Sequence, residues 1–88
     1  PNSPENQRLQ MQAEAWRDAL IHESDAITRF IDDYPHVDVQ QLRQLQRNAR
    51  AEAKREEYGK ASRALFQAVR AEIEAAGDRQ SSEGSDDE

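Results

Sequence analysis

Apolar residues in this chain recur in steps of three and four in four separate stretches, and nowhere do they alternate with period two. That spacing places them on single faces of α-helices and leaves no pattern for a half-buried strand. Leu9, Ala13, Trp16 and Leu20 form the first stripe, behind Ser3 as an N-cap and Pro4 at the first helical position. Ile27, Phe30, Ile31 and Tyr34 form a short second one, with His22-Glu23-Ser24-Asp25 offering its cap and Pro35 stopping it. Asp38 and Gln41 have the spacing of a capping box ahead of Val39, Leu42, Leu45 and Ala49, a third helix expected to end near Tyr58-Gly59. Leu65, Phe66, Val69 and Ile73 mark a fourth, starting at or just before Ser62 and expected to stop at Gly77. The connections are short, so neighbours should be antiparallel. The expected fold is all-α, a small antiparallel three- or four-helix bundle.

With 88 residues there is room for one domain, expected over residues 1–77. Residues 78–88 contain no large apolar side chain and read as a disordered acidic tail. That tail is either a solubilising terminus or a weak, salt-sensitive competitor for a basic surface. The chain opens Pro-Asn-Ser-Pro without Met and is expected to be a piece of a longer protein. It has no cysteine, hence no disulfide, thiolate nucleophile or zinc knuckle, which fits a reducing compartment. Its longest apolar runs are two or three residues, too short to span a membrane, and its first residues lack a signal-peptide pattern. A cytoplasmic protein is expected.

The net charge of −6 hides a strong polarity. Between Arg43 and Arg70 lie eight basic and three acidic residues, a local +5, while the rest of the chain carries −11. Arg43, Arg47, Arg50 and Lys54 step by four, three and four along the third helix, beside its apolar seam. Packing does not call for a single-sign row, and like charges at i,i+4 are mildly unfavourable. Over about 16 Å of helix, such a row matches the phosphates of a nucleic-acid backbone, with Arg able to engage them bidentately. Asn48, Arg55, Lys60 and Arg63 could widen the patch. The plainer reading is a solvated face whose charges pair with Glu52, Glu56 or the tail. Tyr58, amid Arg55, Lys60 and Arg63, either stacks on a base or covers the end of the bundle.

Catalysis finds little footing. His22 and His36 are the only histidines, the Asp residues near them lack metal-ligand spacing, and three glycines make no phosphate loop. A small bundle offers little shelter to shift a carboxyl pKa. No catalytic residue, metal or cofactor is expected, and the chain reads as a binding module.

The segments Trp16-Arg17-Asp18-Ala19-Leu20-Ile21, Asp25-Ala26-Ile27, Tyr34-Pro35-His36-Val37-Asp38, Gln40-Gln41-Leu42-Arg43-Gln44-Leu45, Arg47-Asn48-Ala49 and Lys60-Ala61-Ser62-Arg63-Ala64-Leu65-Phe66 occur in that order. Together they resemble the C-terminal half of the bacterial dual-action ribosomal maturation protein family, over roughly residues 7 to 76. The resemblance implies a cytoplasmic, all-α, non-enzymatic factor that joins the large ribosomal subunit late in assembly and helps the peptidyl-transferase region mature. Carried over by position, it implies RNA contacts at Gln41, Arg43, Arg47, Asn48, Lys60 and Arg63, beside Arg50 and Lys54 from the stripe. The family's N-terminal half, with its own Arg-rich helix, is missing here and is a possible partner. Glu56-Glu57-Tyr58-Gly59 is more acidic than the Lys- and Pro-containing connection of the family. The rival expectation is a helical protein-interaction module whose apolar seam docks a partner helix without touching RNA.

Overall fold

The structure, a computed structural model, describes the backbone of residues 3–86 and the side chains of residues 3–77. Four helices follow one another: α1 (Pro4–His22), α2 (Ala26–Asp33), α3 (Val39–Lys54) and α4 (Lys60–Asp86). Among the described residues there is no strand. The expected all-α bundle is what forms.

Two of the helix starts, those of α1 and α3, follow their local caps. Ser3 accepts the Asn6 amide at 3.1 Å, and Asp38 accepts the Gln41 amide at 3.1 Å, each satisfying an otherwise orphaned donor. Asp25 stands at the start of α2 without a side-chain cap; its carboxylate and that of Glu23 instead face Arg29. Tyr34, pushed out of the helical region by Pro35, ends α2 at φ −131°, ψ 71°.

Helix ends depart from the sequence reading. α3 stops at Lys54, short of Tyr58-Gly59, because Glu56 turns the chain with φ 60°. A left-handed residue ends a helix in the usual way, though here it is not glycine. α4 begins at Lys60 and runs through Gly77, where a stop was expected; no glycine in the described backbone adopts the positive φ that would turn the chain. The expected acidic tail, 78–88, falls on side chains outside the described residues.

The core is formed by Ala13, Leu20, Ile21, Ala26, Phe30, Leu42, Ala49, Leu65, Val69 and Ile73. Three of these are alanines with no exposed surface, which lets the helix axes approach closely and makes few large side chains sufficient. Leu9, Trp16, Ile27, Tyr34, Leu45 and Phe66 pack around them. α4 lies against both α1 and α3. It runs antiparallel to each: Arg70 donates to Asn6 Oδ1 at 2.7 Å, and Glu52 at the end of α3 meets Ala61 at the start of α4. The third side is closed by side chains of α3. Gln46 Nε2 donates to the Leu20 carbonyl at 3.0 Å and Arg50 Nε to the Ile21 carbonyl at 2.9 Å. These are last-turn carbonyls of α1, which have no intrahelical partner.

Candidate nucleic-acid interface

At about 100° per residue, Arg43, Lys54 and Arg47 lie some 100–140° around α3 from the buried Leu42, and Arg50 somewhat closer, near 80°. That difference decides their environments. Arg43, Arg47 and Lys54 are exposed and make no side-chain hydrogen bond or ion pair with a described residue. Arg50 is half-buried, drawn inward by the Ile21 carbonyl. It sits at the inner edge of the stripe and ties α3 to α1. Its place next to the seam was visible on a helical wheel. The carbonyl that draws it in was not, because it belongs to another helix.

The remaining candidates do not join that stripe. Gln41 and Asn48 lie on the other flank of α3, and Asn48 Oδ1 accepts Gln44 Nε2 at 3.2 Å. Asn48 and Lys60 border the groove between α3 and α4, together with Leu45, Glu52 and Ala64. Arg63 borders a different groove, between α1 and α4, which it shares with Arg17, Tyr58 and Phe66. The eight sequence candidates are thus distributed over three surfaces. The strongest concentration of unpaired charge is the trio Arg43, Arg47 and Lys54.

The plainer alternative, in which the stripe pairs with Glu52, gives way to a different role for that residue. Its carboxylate accepts the amides of Gly59 (3.1 Å), Ala61 (2.8 Å) and Ser62 (3.1 Å), capping α4 from the end of α3. Those hydrogen bonds, the one from Ala61 foremost, hold its pKa below the ordinary glutamate range against an opposing effect of burial, with Arg55 assisting. Ser62, buried, donates its hydroxyl to the Gly59 carbonyl at 3.1 Å. A depressed carboxylate pKa adds stability that is present above the unfolded-state value, about 4.3, and is lost as pH falls through the folded-state value. Glu52→Gln is therefore expected to lower Tm at neutral pH, and the gap to wild type should narrow as pH drops below about 4.3. Thermal melts by circular dichroism across pH check this; a gap independent of pH would contradict it.

The cap spans seven to ten residues of sequence, so no local capping pattern signals it. Gln46 is likewise not signalled: its polarity hides a seam position 9% exposed, where the amide is tolerated because it donates to the Leu20 carbonyl. Among the described residues no three His, Asp or Glu side chains converge in a way that could hold a metal ion, and no helix is long and apolar enough to cross a membrane.

Residues 2–70 match the family described as dual-action ribosomal maturation protein DarP. Proteins of that name from Thiobacillus denitrificans and Cupriavidus metallidurans are 47% and 44% identical to it, over 84% and 70% of this chain. One from Methylobacillus flagellatus is 39% identical over 84% of the chain. The matched region accounts for 42%, 31% and 41% of those relatives, so the chain spans less than half the length of each. No solved structure matches. With most of the described bundle matched and identities well above what a shared fold alone would give, the chain belongs to the DarP family of dual-action ribosomal maturation proteins.

Proposed function

We propose that this domain is a non-enzymatic, cytoplasmic ribosome-maturation module that joins the large ribosomal subunit late in assembly. It contacts rRNA phosphates through α3 and so helps the peptidyl-transferase region mature. The observation that carries the reading is the row Arg43, Arg47 and Lys54: exposed, of one sign, and unpaired with any described residue. A row of like charge at helical spacing is mildly unfavourable in isolation, and neutralisation by a polyanion removes that penalty. Arg50, half-buried at the inner edge, keeps Nε on the Ile21 carbonyl and contributes its positive charge beside the row. Gln41, Asn48, Lys60 and Arg63 are secondary contacts on neighbouring surfaces. The row reads phosphates and gives no base specificity. Family membership and the names of the relatives support a ribosomal setting.

A second reading rests on a different feature. Met11 is 69% exposed, beside Pro4 and Gln7 on the outer face of α1. As a protein-interaction module, the chain would seat a partner helix there; because the relatives are more than twice as long, the remainder of such a protein is the natural candidate.

Site-specific photocrosslinking separates the two. With a benzophenone side chain at position 47, crosslinks to large-subunit rRNA are expected, and at position 11 none. Crosslinks from 47 to protein alone, or RNA crosslinks from 11 and not 47, would remove the stripe from the interface.

A further inference from the structure

Tyr58 is 62% exposed, and with Met11 it stands apart from every other large apolar side chain described, all of which are packed against the core or half-buried. More than half of its surface is therefore open to solvent. It projects from the α3–α4 turn at the rim of the groove between α1 and α4. Exposure of this kind usually goes with a mobile side chain on a loose loop, and this turn is not loose. The amide before Tyr58, that of Glu57, donates to the Glu52 carbonyl at 2.9 Å, and the amide after it, that of Gly59, donates to Glu52 Oε2 at 3.1 Å. Both neighbours of the aromatic are tied to a single residue of α3, and the left-handed Glu56 sets the direction of the turn.

The rest of the groove has a matching character. Arg63 is exposed on its α4 wall and unpaired with a described residue. Arg17 is already engaged: Nε and Nη2 donate to Asp18 Oδ1 at 3.2 and 2.9 Å, and its guanidinium lies over the Phe66 ring, 5.9 Å from its centre. Glu14 on the α1 wall disfavours a run of phosphates, so the groove suits one nucleotide rather than a continuous strand. The Ala61 and Ser62 amides at the start of α4 are taken by Glu52 and the Arg17 guanidinium by Asp18, leaving the Arg63 side chain as the anion-binding group of this groove.

We infer that the α3–α4 turn is a binding site for a single unpaired RNA base, which stacks on Tyr58 while its phosphate is held by Arg63. The inference rests on the RNA-binding reading above and adds a separate surface to it, since Arg63 and the α3 stripe border different faces. A stacked base is sequence-tolerant, so the site selects unpaired over paired RNA and not one base over another.

The test uses this chain with two probes, a blunt RNA duplex and the same duplex carrying one bulged adenosine, read by fluorescence anisotropy. Wild type is expected to bind the bulged probe more tightly. Tyr58→Ala should lose about tenfold on the bulged probe and nothing on the blunt one, with helicity unchanged because the side chain is outside the core. Tyr58→Phe should bind as wild type, and Arg63→Gln should weaken the bulged probe selectively. The stripe is read separately: Arg43→Glu/Arg47→Glu is expected to weaken the blunt duplex. Equal wild-type affinity for both probes, or a Tyr58→Ala variant that keeps the preference for the bulge, overturns the base site even if the stripe variant behaves as expected. Loss of the preference in Tyr58→Phe would overturn stacking as its cause.

Discussion

Arg43→Glu/Arg47→Glu is expected to weaken binding to large-subunit rRNA by about 100-fold at about 0.1 M salt while leaving the far-UV circular dichroism spectrum intact. On the proposed function each removed contact is a charge-assisted hydrogen bond to phosphate, about 1.5–3 kcal/mol in favourable cases, and exposure to solvent argues for the lower end. Two at the lower end are about 3 kcal/mol, or two decades in affinity. Folding should be indifferent, because neither side chain bonds a described residue and replacing the pair lifts no native contact. A variant Gln7→Glu/Arg8→Glu/Thr28→Glu has the same change of net charge, at exposed positions off α3. It is expected to lose less than about fivefold, since unfocused surface charge is screened within about 10 Å at ordinary salt. Equal losses in the two variants would mean that net charge, and not the row on α3, governs the interaction.

Phe30→Ala is expected to be the most damaging single substitution to the fold. The ring is fully buried, meets the edge of Trp16 at a centroid distance of 5.2 Å and lies 4.7 Å from the ring of Tyr34. It fastens the eight-residue α2 to α1, and α2 is far too short to persist on its own propensity. Removing a buried Phe costs about 3–5 kcal/mol. In a domain of this size that corresponds to a fall in Tm of roughly 15–30 °C. Met11→Ala, at an exposed position of α1, should shift Tm by no more than a few degrees. Thermal melts of the two variants check the pair of expectations. A Phe30→Ala variant that melts within a few degrees of wild type would mean that α2 is not held by this aromatic cluster.

Tyr34 illustrates the same packing from its polar end. Its hydroxyl accepts Gln12 Nε2 at 3.3 Å, and burial, assisted by the neighbouring Asp33 carboxylate, pushes its pKa above the ordinary tyrosine value. The hydroxyl therefore stays neutral at physiological pH. α2 is consequently joined to α1 by an aromatic cluster with one hydrogen bond at its rim, an arrangement built from side chains that the sequence had already placed on two facing stripes.

What the sequence made legible was the part governed by nearby residues. Ser3-Pro4 and Asp38 mark helix starts because an N-cap acts within three residues, and the observed caps bond where that spacing says they should. Core faces were legible for the same reason: Leu20, Phe30, Leu42, Leu65 and Val69 all fall on the periodic stripes and all are fully buried. The end of α3 was not legible, because Glu56 carries the left-handed turn that sequence reading assigns to glycine. Nor was the cap of α4, since Glu52 reaches its amides across a turn that exists only after α3 and α4 have packed. Arg50 and Gln46 belong to the same class: their partners are carbonyls of α1, some 26 to 29 residues away.

The candidate site divides in the same manner. The row on α3 is a property of one helix and could be read from spacing alone. Whether Lys60 and Arg63 extend it depends on the rotation of α4 against α1 and α3. That rotation sends Lys60 toward one groove and Arg63 toward another. A patch that looked continuous along the chain is a row with two separate outliers in space. Tyr58 follows from the turn geometry: with α3 ending at Lys54, the aromatic falls in the turn and becomes an exposed ring between two anchored amides.

The measurement that bears most directly on the central claim is the affinity of this chain for large-subunit rRNA across a salt series. Three exposed cations on one row should release about one counterion each. The logarithm of the association constant is then expected to fall with the logarithm of salt concentration at a slope of roughly −2 to −3. Arg43→Glu/Arg47→Glu should flatten that slope by about two units. A slope near zero in the wild type, or a slope that the double substitution leaves unchanged, would contradict contact between the α3 row and rRNA phosphates.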